Sequence, residues 1–297
     1  MQDKLIAIVG TNASGKSSLG LQLAKDFGAE IVSADSRQVY KYLDLGTGKV
    51  SKAEMQQAPH HLIDILELGQ PFSLAEYQTL AYQAIDNICA RGKVPFLVGG
   101  TGLYTRAVIE GYNLVAAPPD FSLREQLDGK SANELKAILA EMGDKDIPDT
   151  QNCRHLVRRM EKLKSGSNAK DKESHPRYNT LQLGLTWDKD TLHKRISERL
   201  DTRLAQGMVQ EVQKVLAMGA TPQFLQGLGL EYRLTYKYIK GEYADFQAYR
   251  NELFIAIRQF AKRQMTWFRK EKDIIWLDST GDYYTQAKQL IINFLEG

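Results

Sequence analysis

The residues Gly10-Thr11-Asn12-Ala13-Ser14-Gly15-Lys16-Ser17 match the spacing G-x-x-x-x-G-K-[ST] at every fixed position. The chemistry this allows is the binding of a phosphate chain. Glycine lets the backbone close around an anion with successive N–H groups pointing inward, and a following helix N-terminus adds a positive dipole end. Lys16 supplies a mobile point charge, and the Ser17 hydroxyl is placed to ligate a Mg²⁺ that bridges phosphates. A chance glycine turn is the alternative, but an apolar run precedes the loop and a helical pattern follows it. The loop does not say which molecule carries the phosphates. ATP is the default guess, yet another activated donor presents the same diphosphate.

Other residues with chemical potential lie further along. Asp35-Ser36 stands at the C-terminal end of Glu30 to Ala34, which reads as a short strand, so Asp35 either faces the ligand crevice at a strand C-terminus or acts as a helix N-cap or turn aspartate. Gly99-Gly100-Thr101-Gly102 follows the apolar run Val94 to Val98; its glycines allow close approach of a ligand, and Thr101 offers a hydroxyl. Arg195, Arg199 and Arg203 form one cationic stripe at i, i+4, i+8, which is either solvated or turns one arginine toward the phosphates. Arg154-His155-Leu156-Val157-Arg158-Arg159 with Lys162 and Lys164 suits phosphate contact or a solvated face. Arg258 to Lys270 interleaves cations with Phe260, Trp267 and Phe268, the composition of a surface that stacks on bases and pairs with phosphates, or of an amphipathic core helix with a basic exterior. The His60-His61 pair has no further ligand at metal-site spacing and reads as non-metal.

These residues need a frame. Leu5 to Val9, Glu30 to Ala34, a segment within Pro59 to Ile65, Val94 to Val98, Leu181 to Trp187 and Ile274 to Asp278 read as strands, the last as the final strand of a sheet. Helices are expected after the phosphate loop, over Ser73 to Arg91 with Ser73 and Glu76 as a capping box, from about Tyr104 to Glu110, after Trp187, over Gly207 to Ala217, and beyond Gly227. Between Val115 and Thr180 the pattern changes. Pro118-Pro119 interrupts it, helical stretches follow at Ser122 to Leu127, Ala132 to Met142 and Asn152 to Leu163, and Ser165 to Pro176 reads as a polar loop. The expected fold is α/β, a P-loop NTPase-like parallel sheet flanked by helices over 1–114 and 181–297, with a small helical insertion over 115–180.

At 297 residues, 43% apolar and 25% charged, the chain has an ordinary globular composition. A formal net charge of +3 makes any nucleic-acid footprint local. Cys89 and Cys153 are the only cysteines and suggest neither a zinc cluster nor a disulfide framework. With no leader pattern and no apolar run near the roughly 20 residues of a membrane span, a cytoplasmic protein without membrane partners is expected.

Taken together, the phosphate loop, Asp35 to Tyr40 with Asp44 to Lys49, Pro59 to Ile65, Val98 to Tyr104 and Lys262 to Arg269 resemble the tRNA dimethylallyltransferases in order and spread along the chain. The resemblance implies transfer of a dimethylallyl group from its diphosphate to the exocyclic N6 of adenosine-37 beside the anticodon, with one active site per chain, so that a monomer suffices. It implies that Gly10 to Ser17 hold the leaving diphosphate, with Mg²⁺ on Ser17, and that Arg199 helps bind it. Asp35 matches the residue given the role of general base, and Thr101 a position at the target nucleotide. Contacts to the tRNA would come from Asp35, Ser36, Arg37, Gln38, Thr101, Arg124, Arg154, His155, Arg158, Lys262, Arg263, Gln264, Trp267 and Arg269, gripping a flipped-out adenosine from two sides. The chain departs from the family pattern at Thr11-Asn12, where Pro-Thr is frequent, at Glu231, where glycine is, and at His155, where arginine is usual. An adenylate isopentenyltransferase acting on free AMP, ADP or ATP is the nearest rival, although it would need neither the basic-aromatic helix nor the arginine-rich insertion. A small-molecule P-loop kinase would instead turn over ATP, and a non-catalytic RNA-binding relative would be expected to have lost Asp35 or Lys16.

Overall fold

The computed structural model describes residues 2–114, 120–166 and 174–297. Val115 and the Pro118-Pro119 break, and most of the polar stretch after Ser165, lie outside them. The chain divides into two compact units, residues 1–111 with 176–297 and residues 112–175; the insertion was expected over 115–180.

In the larger unit, β1 (Lys4–Gly10) runs into the phosphate loop and α1 (Lys16–Asp26), followed by β2 (Glu30–Ser33), α2 (Lys52–Met55), β3 (His60–His61), α3 (Leu74–Ala90), β4 (Pro95–Gly99) and α4 (Gly102–Ile109). The smaller unit holds α5 (Phe121–Gln126), α6 (Ala132–Glu141) and α7 (Cys153–Lys164). The larger unit resumes with β5 (Asn179–Thr186), α8 (Lys189–Ala205), α9 (Met208–Ala217), α10 (Pro222–Leu228), α11 (Leu230–Ile239), α12 (Phe246–Phe268), β6 (Ile274–Asp278) and α13 (Tyr283–Glu296). Ser73 and Glu76 form the expected capping box at α3. The strand sought in Pro59 to Ile65 is only two residues long, because Leu62 and Asp64 take left-handed backbone angles that end the pairing with β2. The basic-aromatic stretch forms nearly half of a longer helix, α12, and runs just past its end, and α13 follows the strand taken as the end of the sheet.

All six strands are parallel in the order β3-β2-β4-β1-β5-β6, so β1 lies between β4 and β5 with Leu5 to Val9 wholly buried. A strand buried on both faces has no polar side to alternate with, which is why it reads as a continuous apolar run. One face packs Ile6, Ile8 and Val98 against α1 and α13, and the other packs Leu5, Ala7 and Leu97 against α3 and α4. A further apolar cluster joins α8, α9, α11 and α12 and includes Ala13 of the phosphate loop. The segment after β2 was read as more loop than core; it is a loop, but Val39 and Leu43 are wholly buried against α9 to α11. In the smaller unit, α6 and α7 pack Leu135, Leu139, Leu156 and Met160 into a core of their own.

The opposite end of β2 carries a buried carboxylate. Glu30 is 2% exposed and accepts from Arg91 at 2.5 and 2.8 Å and from Lys93 at 2.9 Å, and it meets His61 Nε2 at 2.8 Å. This accounts for His61 without a metal, and His60 Nδ1 lies 2.8 Å from the Ala58 carbonyl. The Arg91 guanidinium holds the Glu30 carboxyl far below its ordinary value of 4.5, against the opposing effect of burial. A carboxyl depressed in the folded state stabilises fully above its unfolded pKa and loses that stability as pH falls toward its folded one. Glu30→Gln should therefore cost about 1–3 kcal/mol at neutral pH, and urea unfolding should show the gap from wild type narrowing at about pH 3.5. A gap independent of pH would contradict the assignment.

Candidate active site

The phosphate loop is shaped by its backbone and braced from behind. Ala13 and Gly15 have left-handed angles, φ 61° and 96°, and Gly15 begins α1 with no side-chain cap. The first-turn N–H groups of α1 thus have no capping side chain, the condition under which a helix N-terminus takes an anion. The carbonyl oxygens of the loop have donors of their own. Trp187, just after β5, donates from Nε1 to Ser14 O at 2.7 Å; Arg195 of α8 donates from Nε to Ala13 O at 2.8 Å and stacks on the Trp187 ring at 4.4 Å; Lys16 Nζ donates to Thr11 O at 3.2 Å. With the carbonyls so engaged, the loop can present N–H groups to a ligand.

Positive charge is concentrated here. Arg199 donates to Gly48 O at 3.3 Å; Gly48 has a left-handed φ of 61°, which favours glycine, and a Cβ there would also crowd the Arg199 and Arg203 guanidinium groups. The arginine stripe, expected to be solvated or to turn in a single residue, brings all three of its members to this end of the sheet. Burial, and then Arg199, push Lys16 down to about 8; burial and Arg203 push Arg199 down to about 9, and burial lowers Arg203 as well. Arginine keeps its charge in proteins. The depressions express first the cost of burying these cations, to which neighbouring cations add at Lys16 and Arg199; Asp35 and Glu231 offset it only in part at the two arginines, and a bound polyanion would relieve it.

Beside the loop opens a cavity of about 360 Å³ lined by Asn12, Asp35, Thr101, Leu103, Gln264 and Trp267 among others. Asp35 fills both roles left open for it. Its Oδ1 accepts from the backbone N–H of Arg37 at 2.9 Å and of Gln38 at 3.4 Å, fixing the turn, while the carboxylate lines the cavity. Thr101 Oγ1 accepts from Ser36 N at 3.2 Å and so joins the loop after β4 to the loop after β2. Gln38 Nε2 donates to Gly48 O at 3.4 Å. Arg37 pairs with buried Glu231 at 3.6 Å, lies 5.6 Å from the Phe260 ring centre, and would collide with any Cβ on Gly229. Trp267 packs against Gly102, where a Cβ would come within 2.3 Å of the indole.

Four of the expected RNA contacts on α12 and beyond, Lys262, Arg263, Trp267 and Arg269, are exposed. Gln264 is buried, with both ends of its amide bonded inside the protein. In the smaller unit Arg154 and His155 are exposed on α7, whereas Arg124 and Arg158 hold buried Glu161 at 2.7 and 2.8 Å. Sequence reasoning missed three supports. Trp187 stood only as a strand end. Glu211 of α9 accepts from the N–H groups of Asp44, Leu45 and Gly46 at 2.7 to 3.0 Å and from the Tyr232 hydroxyl at 2.7 Å, holding the loop that ends in Gly48. The 2% exposed side chain of Lys49 ties Tyr40 O, Asp44 and Asp64 together. Of these, only Lys49 had a signal, its place in a stretch that already stood out.

The IPP transferase family model matches residues 38–271. A tRNA dimethylallyltransferase 2 of Shewanella sediminis is 42% identical, with 97% of each chain covered, and a tRNA dimethylallyltransferase of Halothermothrix orenii is 40% identical over 98% of this chain and 93% of the relative. Among solved structures, the tRNA isopentenylpyrophosphate transferase of Bacillus halodurans superposes with a TM-score of 0.74 at 35% identity, covering 100% of this chain and 96% of that one. A eukaryotic dimethylallyltransferase acting on tRNA shares the fold, with a TM-score of 0.81 at 24% identity over 98% of this chain and 78% of that one. With a sheet of this order, a phosphate loop under a cluster of arginines and matches that run nearly end to end, the chain belongs to the IPP transferase family.

Proposed function

We propose that this chain transfers a dimethylallyl group from dimethylallyl diphosphate to N6 of adenosine-37 beside the anticodon of tRNA, releasing diphosphate into the phosphate loop. The observation that carries the reading is the adjacency of two unlike sites. Asn12 belongs to the phosphate loop and also lines the cavity that holds Asp35 and Thr101. A donor whose diphosphate lies among Lys16, Arg199 and Arg203 directs its five-carbon tail to that cavity, whose walls include Leu103, Phe260 and Trp267.

Adenine N6 is a poor nucleophile because its lone pair is delocalised into the ring. In the transfer the bond from the allylic carbon to the diphosphate oxygen breaks, the N6–carbon bond forms, and N6 loses a proton. Asp35, held by the Arg37 and Gln38 amides, takes that proton. The cations stabilise the charge that grows on the departing diphosphate, and they are in place before it forms. Among the described residues no group of three or more metal-ligating side chains exists. The Ser17 hydroxyl beside the cradle fits an ion that arrives with the donor, since Mg²⁺ keeps most of its coordination on phosphate and water oxygens. Bound there, it would neutralise leaving-group charge.

A polynucleotide acceptor is favoured over a free nucleotide by α12, where exposed Lys262, Arg263 and Trp267 continue outward from the cavity and present phosphate partners and a stacking face. Exposed Arg154 and His155 on α7 supply a second basic face. All these residues come from one chain, so a monomer suffices.

Incubation with dimethylallyl diphosphate, Mg²⁺ and either an anticodon stem-loop or AMP, read by mass spectrometry, should give one five-carbon adduct on the RNA and none on AMP. Prenylated AMP with untouched RNA would overturn the acceptor assignment, and phosphate transfer from ATP would replace the reaction. Asp35→Asn should lower kcat by about 10²–10⁴-fold with stem-loop binding intact, and an unchanged kcat would remove it as the base. Arg199→Ala should act mainly on the donor, raising its KM at least about tenfold while RNA affinity, read by fluorescence anisotropy, holds.

A further inference from the structure

Gln264 occupies a place that neither RNA contact nor simple core packing explains. It sits on α12 between Arg263 and Trp267, both exposed at the cavity, but is itself only 8% exposed. Its Oε1 accepts from the backbone N–H of Asn12 at 2.9 Å, and its Nε2 donates to the backbone carbonyl of Gly100 at 2.9 Å. The two partners fix the orientation of the amide, since one can only donate and the other only accept. Asn12 lies in the loop that holds the diphosphate, and Gly100 immediately precedes Thr101 on the acceptor side. A Cβ on Gly100 would lie 3.0 Å from Gln264 Nε2 and 3.2 Å from Lys16 Nζ, so the amide and the phosphate-binding ammonium both lie close to this residue.

We propose, resting on the function above, that Gln264 is a positioning residue for the transfer step: one side-chain amide ties the donor loop to the acceptor loop and sets the separation of the allylic carbon from N6. Of the two side-chain amides only glutamine has this reach, asparagine being one methylene shorter. Glutamate keeps the acceptor for Asn12 but sets an oxygen against the Gly100 carbonyl; methionine keeps the volume and loses both bonds. The donor still finds its cations and the RNA its helix, so the effect falls on the bound complex. A misplacement of about 1 Å between reacting groups costs on the order of 10²-fold in rate.

The test compares wild type, Gln264→Met and Gln264→Glu with dimethylallyl diphosphate, Mg²⁺ and an anticodon stem-loop, measuring kcat, both KM values, stem-loop Kd without donor, and thermal midpoint. The expected result for both variants is a kcat loss of at least about tenfold, with KM and Kd within about threefold of wild type and a cooperative melt retained. Full kcat in either variant would overturn the proposal. So would a weakened stem-loop Kd with kcat intact at saturation, which would make Gln264 an RNA contact, or a kcat loss matched by the fraction unfolded, which would make it structural. An inactive wild type would instead sink the underlying reading and is distinguished at the first column of the data.

Discussion

Four basic side chains converge at the carboxyl end of a buried parallel sheet, and most of the site follows from holding them there. Lys16 and Arg199 have their pKa values pushed down by burial and by neighbouring cations, Arg203 by burial, and Arg195 is fixed to the phosphate loop by a hydrogen bond and an aromatic stack. Such a cluster is unfavourable on its own and becomes favourable when a diphosphate enters. Its cost is borne by the rigid packing around it: α8 buries Ile196 and Leu200 against α12, and Glu211 pins the Gly46 to Gly48 turn that crowds Arg199 and Arg203.

The same constraint shapes the chemistry. A leaving group that departs into a preformed cationic cradle needs no reorganisation of the protein as charge develops. The acceptor side is built differently, from the Asp35 carboxylate steadied by two amides, a threonine hydroxyl that joins two loops, and aromatic walls. Glu231 belongs to both halves. It pairs with Arg37 in the cavity wall and partly offsets the downward shift that burial imposes on Arg199 and Arg203.

Much of this was legible in the amino-acid sequence because it is local. The phosphate loop is a contiguous motif, the strands are apolar runs, and the capping box at Ser73 and Glu76 is a four-residue pattern. What could not be read depends on separation. Gln264 reaches Asn12 across 252 positions, Trp187 reaches Ser14 across 173, and Glu211 reaches Leu45 across 166. None lies in a pattern that marks its partner. The arginine stripe of α8 was visible as a stripe, but the carbonyls it meets, Ala13 O and Gly48 O, lie in distant loops. The motif also marks only one end of α12, whose basic-aromatic residues are continuous with an apolar stretch through Leu253 and Ile257.

The central claim is that the phosphate loop is a leaving-group site facing an acceptor cavity. Its most direct test is a crystal structure with a non-reactive dimethylallyl thiodiphosphate and Mg²⁺. The account predicts the diphosphate on the N–H groups of residues 13 to 17, with Lys16, Arg199 and Arg203 around it and the five-carbon tail in the cavity beside Asp35 and Thr101. A diphosphate bound away from the α8 arginines, or a tail turned away from Asp35, would contradict it.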